Sequence, residues 1–196
     1  MSSTTLSNLT LPADPAAWIE DLEQPDWDSY FMSMVFMAAM RSPDQETKQG
    51  CIVVDWPTKD IIGTGYNGHP RKSTAGLPTR RPDKYPCMVH ADLNAALRCH
   101  GKISTHAVVY LPMPPCEVCL GAIANMPLVA VKRIVYLEYR QFPNTEMLLR
   151  HLPHITCEQY QGPHPAEWLE KAAIYARIRS QHGPALSVGS TRTYSK

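Results

Sequence analysis

His90-Ala91-Asp92-Leu93-Asn94-Ala95 and, further on, Pro114-Pro115-Cys116-Glu117-Val118-Cys119 decide how this chain is read. One histidine and a Cys-x-x-Cys pair offer three soft or borderline ligands. Three protein ligands are the complement of a catalytic zinc, which keeps a fourth position open, whereas a structural zinc takes four. Residues 91–100 and 116–125 both have helical composition. His90 and Cys116 therefore stand at helix N-termini, whose unpaired N–H groups favour thiolate over thiol. Asp92, two residues after the histidine, adds a carboxylate to the same point. The competing reading is a structural zinc with a distant fourth ligand from Cys87, Cys99 or Cys157. The Pro-Pro before Cys116 and the His-Ala-Asp unit have no role in such a ribbon and favour the catalytic site.

Outward from this stretch, helices alternate with β-rich runs. Residues 51–55 and 61–66 are short apolar strands joined by Trp56-Pro57-Thr58-Lys59-Asp60, a hairpin signal. Strands are expected at 106–111, 131–137 and 155–157. A first helix is expected over 26–40, capped by Asp26 or Asp28, with Met32, Met34, Met37 and Met40 as core filler. Further helices end near 152 and cover 165–181. The alternation predicts an α/β fold, a three-layer α-β-α sandwich whose mixed central sheet of about five strands carries helices on both faces. Residues 69–89 form a long loop rich in proline, arginine and lysine, of the kind that shapes a site. Residues 1–17 are expected to be a loose arm, 18–182 a single domain and 183–196 a polar tail.

The composition narrows the function. The 196 residues carry a formal net charge of +1, which argues against a nucleic-acid-coating protein, so no stable nucleic-acid complex is expected. No apolar run is long enough to span a membrane. The polar opening residues do not form a secretory signal, and six cysteines without one read as reduced thiols in a cytoplasmic protein.

The zinc nucleobase deaminases carry the signature H-x-E…P-C-x-x-C, in which the Glu shuttles protons and is not a ligand. Asp92 stands where that signature has Glu. More of the chain follows the same family. Asp28-Ser29-Tyr30-Phe31-Met32 opens the first helix. Arg41-Ser42-Pro43-Asp44, then Thr47 and Gly50, resembles an R-S-x-D-x-x-T-x-V-G segment, with Gln49 where Val is usual. Gly63-Thr64-Gly65-Tyr66-Asn67-Gly68-His69-Pro70 resembles a G-x-G-Y-N-G-x-P loop, and Lys84-Tyr85-Pro86 leads into His90-Ala91. Between about residues 27 and 140 the chain resembles the deoxycytidylate (dCMP) deaminase family.

That resemblance implies hydrolytic deamination of dCMP to dUMP, supplying dUMP for dTTP synthesis. It implies a catalytic Zn²⁺ on His90, Cys116 and Cys119, with Asp92 as the proton shuttle. Asn67 would contact sugar or base, Ala91 would offer its N–H to the pyrimidine carbonyl, and Arg41 and Ser42 would lie near the 5′-phosphate. Pro115 completes the implied substrate wall. Many members of the family are hexamers, activated by dCTP with Mg²⁺ and inhibited by dTTP. That implies a homo-oligomer, hexamer or trimer, with the regulatory nucleotide on Tyr66, Asn67, Gly68 and Arg71. Asp92 is shorter than Glu by one C–C bond, about 1.5 Å. Two alternatives follow: a silent relative that binds nucleotides, or a deaminase of a 5-substituted dCMP.

Overall fold

Alternation of apolar residues along each strand explains how this chain layers. A computed structural model describes residues 9–182, and the contacts divide the chain into two compact units. One comprises residues 27–162. The other combines the chain up to residue 26 with the segment from residue 163. The expected tail and the first eight residues of the expected arm lie outside the described residues.

The 27–162 unit holds a five-stranded mixed sheet. Its strands are β1 (Gly50–Asp55), β2 (Asp60–Tyr66), β3 (Ser104–Leu111), β4 (Val129–Tyr136) and β5 (Thr156–Gln159), in the order β2-β1-β3-β4-β5. β1 runs antiparallel to both β2 and β3, and β3, β4 and β5 run parallel. With α1 (Pro15–Glu20) in the other unit, the helices of this one begin with α2 (Trp27–Ala39). It packs Phe31, Met32 and Val35 on one face of the sheet, against Ile52, Val54, Val108 and Tyr110. α3 (Ala91–Arg98), α4 (Glu117–Ala124) and α5 (Pro143–Arg150) cover the other face. There Cys51, Val53, Val109 and Leu111 meet Ala95, Leu120 and Ile123, with Leu148 packed alongside. Neighbouring residues of β1 and β3 thus enter opposite cores, as the two-residue period of a strand requires.

In β4 a bulge breaks this alternation. The register with β3 shifts between Ala107↔Val131 and Val108↔Arg133, leaving Lys132 exposed and unpaired. Arg133 consequently faces α2, where it makes a two-pronged ion pair with Asp28 at 2.9 and 2.7 Å.

Three expectations change. Asp28 does not cap α2, because Arg133 and the Tyr110 hydroxyl hold its carboxylate. Its pKa stays below the usual carboxylate range, those hydrogen bonds outweighing the opposing effect of burial. Of the four methionines, Met32 is fully buried and Met34 packs partly against the core. Met37, on the outer side of the helix, and Met40, just past its end, are exposed. Within the expected arm, Asp14 accepts from the N–H groups of Ala16 and Ala17 and caps α1, with Pro15 in the first turn. α6 (Pro165–His182) belongs to the same unit as α1.

Candidate active site

The site is assembled at two helix starts. His90 caps α3 and Cys116 caps α4, both in extended backbone conformation. β2 meets α3 too closely for any side chain at Gly65, where a Cβ would lie 2.0 Å from the Ala91 carbonyl oxygen. Gly68 exchanges two backbone hydrogen bonds with Val89, of 3.0 and 2.8 Å, which fixes the approach to His90. On the other side the Thr145 hydroxyl donates to the Pro115 carbonyl at 2.8 Å and steadies the turn before Cys116.

The His90 Nδ1 atom lies 3.5 Å from both the Cys116 and the Cys119 sulfur, and the three ligand atoms fall within 4.8 Å of one another. Tetrahedral bonds of about 2.1 Å to nitrogen and 2.3 Å to sulfur place such a pair about 3.6 Å apart. One imidazole and two sulfurs are also the donor set that selects zinc, so the residues fit that ion. Among the described residues no fourth His, Cys, Asp or Glu joins the group, and all six cysteines are free thiols. Cys87, Cys99 and Cys157 therefore drop out as structural ligands. Cys87 is half-buried.

Electrostatics prepare the group for a cation. Hydrogen bonds with Cys119 and then His90 bring the Cys116 thiol down to about 4. The same Cys116 contact and burial push Cys119 up, so the pair keeps one proton that a divalent cation would displace. The Cys116 contact raises His90. Asp92 is buried and held above the usual carboxylate range by desolvation, while its contact with Cys119 opposes that shift.

These residues open on a cavity of about 580 Å³. His90, Ala91, Asp92, Cys116 and Asn67 line it, and Cys119 is buried. Pro114 also lines the cavity, whereas Pro115 does not; neither do Arg41, Ser42, Tyr66, Gly68 or Arg71. Arg41 and Arg71 are exposed. Tyr66 gives its carbonyl to the Asn94 amide, and its ring lies 5.7 Å from the Arg98 guanidinium.

Sequence reading gave Asn67 and Ser42 ligand roles and overlooked the network they build. The Asn67 amide donates to Asp44 Oδ2 at 2.9 Å and to the Thr47 carbonyl at 3.0 Å, and accepts from the Gln49 N–H at 2.8 Å. Ser42 donates to the Asn67 carbonyl at 2.7 Å. Lys84 completes the network: its ammonium sits 2.7 and 2.8 Å from the two Asp44 oxygens and 3.3 Å from Glu46. The long loop is thereby tied to residues 44–47, reinforced by the Arg81 N–H to Glu46 and its guanidinium to the Thr47 hydroxyl. Arg81 and Arg140 place positive charge on the cavity wall. Nothing local to Arg140 in the sequence pointed to the site, because β4 brings it there.

The model of the cytidine and deoxycytidylate deaminase zinc-binding region matches residues 25–138. The chain belongs to the cytidine and deoxycytidylate deaminase family. It is 33% identical over 129 residues to the deoxycytidylate deaminase of Mycobacterium phage D29, covering 59% of this chain and 97% of that protein. To the deoxycytidylate deaminase of Homo sapiens it is 30% identical over 128 residues, 62% of this chain and 70% of the relative. The solved dCMP deaminase of the cyanophage S-TIM5, in complex with dCMP and dUMP, superposes with a TM-score of 0.60 at 20% identity, covering 71% of this chain and 100% of that one. That likeness shows a common fold.

Proposed function

We propose that this protein hydrolyses dCMP to dUMP and ammonia. The observation that carries the reading is the convergence of His90, Cys116 and Cys119 beside the buried Asp92, on the wall of a cavity with cationic side chains. The names of the relatives supply the substrate. Water contributes oxygen to C4 of the pyrimidine and the exocyclic amine leaves as ammonia.

A zinc ion on the three ligands would supply Lewis acidity and lower the pKa of a water toward neutrality. The protein's own groups do the rest. Asp92, whose carboxyl is held high by burial, takes one proton of the attacking water and passes it to the ring nitrogen, then takes the second from the new C4 hydroxyl and passes it to the departing amine. The Ala91 N–H belongs to the unpaired first turn of α3 and would donate to the pyrimidine carbonyl. Arg81 and Arg140 would hold the 5′-phosphate. Lys84 is committed to Asp44 and Glu46, so it shapes the wall rather than binding the phosphate.

Regulation by dCTP with Mg²⁺ and by dTTP, assembly as a hexamer or trimer and a cytoplasmic location belong to the same reading. The exposed Arg71 and Lys72, outside the substrate cavity, are where a triphosphate would be met. Among the described residues no helix is long and apolar enough to cross a membrane.

A second reading, a silent nucleotide binder, rests on the shorter carboxylate of Asp92. A displacement of about 1 Å at a catalytic group costs on the order of 100-fold in rate. Ammonia release from dCMP by the zinc-loaded chain separates the two. Turnover abolished by Asp92→Ala establishes aspartate as the shuttle. Silence relieved by Asp92→Glu establishes a deaminase pocket switched off by one residue. Zinc binding without dCMP turnover in either protein refutes the dCMP assignment.

A further inference from the structure

A helix start is ordinarily fastened by its N-cap side chain. His90 and Cys116 stand at N-caps and make no such bond, because their side chains converge on the metal group. Each ligand is instead placed by the residue before it. Val89 is held twice, its N–H and its carbonyl both paired with Gly68. Pro115 has no N–H, and its carbonyl accepts from the Thr145 hydroxyl at 2.8 Å. Among the described residues this is the one hydrogen bond made by the backbone of residues 113–115.

Thr145 serves this contact rather than its own helix. A helical threonine often returns its hydroxyl to the backbone of its own helix, whereas this one crosses to a carbonyl 30 residues earlier. It is the only fully buried residue of α5, at 2% exposure. The helix that carries it is firmly seated. Pro143 occupies its first position, the Glu146 N–H donates to the Phe142 carbonyl at 3.0 Å, and Leu148 and Leu149 pack against the core. The Asn144 amide adds a longer contact of 3.5 Å to Glu117, the residue after Cys116.

The Pro115 peptide leads directly into Cys116, so a rotation of that peptide moves the Cys116 sulfur. A metal site tolerates ligand displacements of only about 0.2 Å. Pro115 is buried, and without the hydroxyl its carbonyl has no partner and the turn shifts to find one. We propose that Thr145 is a positioning residue of the metal centre, acting through the Pro115 carbonyl to set the Cys116 sulfur. This rests on the metal-dependent reading of the site and on no particular substrate. Groups that orient a metal ligand in this way typically account for about 10–100-fold in metal affinity.

The test is Co²⁺ titration of the metal-free full chain and of its Thr145→Val, Thr145→Ala and Thr145→Ser variants. Visible absorption reads both the affinity and the geometry of the thiolate-bound ion. Valine and alanine delete the hydroxyl with opposite changes in bulk, so one reads its loss if the other does not fold. Serine keeps the hydroxyl and deletes the methyl. Thermal unfolding of the metal-free proteins separates any effect on the scaffold. Without the hydroxyl, Co²⁺ affinity is expected to fall about tenfold or more with altered absorption bands, and the serine variant is expected to bind as the parent does. Parent-like affinity and bands in the valine or alanine variant, whatever its stability, overturn the role of Thr145 and leave the metal site intact. An equal loss in the serine variant overturns it too, since packing and not the hydroxyl is then responsible. Failure of the parent chain to bind Co²⁺ overturns the metal reading together with the proposal.

Discussion

Replacing Lys84 by methionine tests how the cavity wall is held. The Lys84 and Asp44 side chains are 4% and 3% exposed, and the ammonium makes contacts of 2.7 and 2.8 Å to the carboxylate and 3.3 Å to Glu46. Methionine preserves most of the stem and removes the charge, leaving Asp44 buried and uncompensated. Breaking a buried pair from one side costs about 3–5 kcal/mol. Asp44 keeps the Asn67 amide and the N–H groups of Glu46 and Thr47, at 2.9, 2.8 and 2.9 Å. The cost therefore falls near the lower end, about 3 kcal/mol at pH 7. Combining Lys84→Met with Asp44→Asn should cost less than the sum of the two singles by about 2 kcal/mol, because no buried charge then remains. The sign with pH follows from Asp44. Desolvation raises its pKa, but Lys84 and the backbone N–H donors outweigh it, so the folded pKa lies below the unfolded value of about 3.9. The stabilisation is complete above that value and is lost as pH falls through the folded pKa. The penalty of Lys84→Met should accordingly shrink as pH drops from 5 toward 3. Urea unfolding followed by tryptophan fluorescence at several pH values measures it. A penalty under about 1 kcal/mol at pH 7, or one unchanged at low pH, would refute the role given to this pair.

Zinc added to metal-free protein should stabilise it by about 4 kcal/mol at a thousandfold excess over the dissociation constant. His90→Ala or Cys119→Ser should remove that gain, as read by thermal unfolding with and without chelator. Gly65→Ala places a methyl 2.0 Å from the Ala91 carbonyl, so α3 must shift. We expect a loss of about 1–3 kcal/mol and weakened zinc binding, and a variant as stable as the parent would contradict the close approach. Arg140→Ala should weaken binding of dCMP about tenfold or more while leaving deoxycytidine binding little changed. Equal losses for nucleotide and nucleoside, measured by calorimetry, would place Arg140 away from the phosphate.

The layers and the grouping of His90 with Cys116 and Cys119 were legible because each depends on a local signal. Strand alternation sorts Cys51 and Val53 from Ile52 and Val54, and the two ligand motifs sit at helix starts that sequence composition reveals. What sequence misjudged depends on contacts between distant segments. Asn67-Gly68 reads as a turn, yet Asn67 is the hub of a buried network because Asp44 and Lys84 arrive from segments on either side of it in the chain. Asp28 reads as a cap, yet a bulge in β4 delivers Arg133 to it. Arg140 reaches the cavity only through the path of β4.

The same distinction bears on Asp92. The Asp92 carboxylate accepts the Leu93 N–H at 3.1 Å and touches Cys119, so its length bears on the helix start and the sulfur pair, whereas the Asn67 network runs through other residues. Asp92 also lines the cavity, where its reach toward the reacting atoms decides rate. Gln49 lines the wall of the same cavity, with its backbone paired to Asn67 on both sides. Both residues line the cavity, and the contacts that build its wall run through Asp44, Asn67 and Lys84. Loss of folding integrity would leave the opposite pattern, with breaks in the Asp44–Lys84–Asn67 network or in the approach of Gly65 to Ala91. That network and that close approach are both in place, so the shorter carboxylate of Asp92 bears on the rate of the deamination and not on whether the cavity forms.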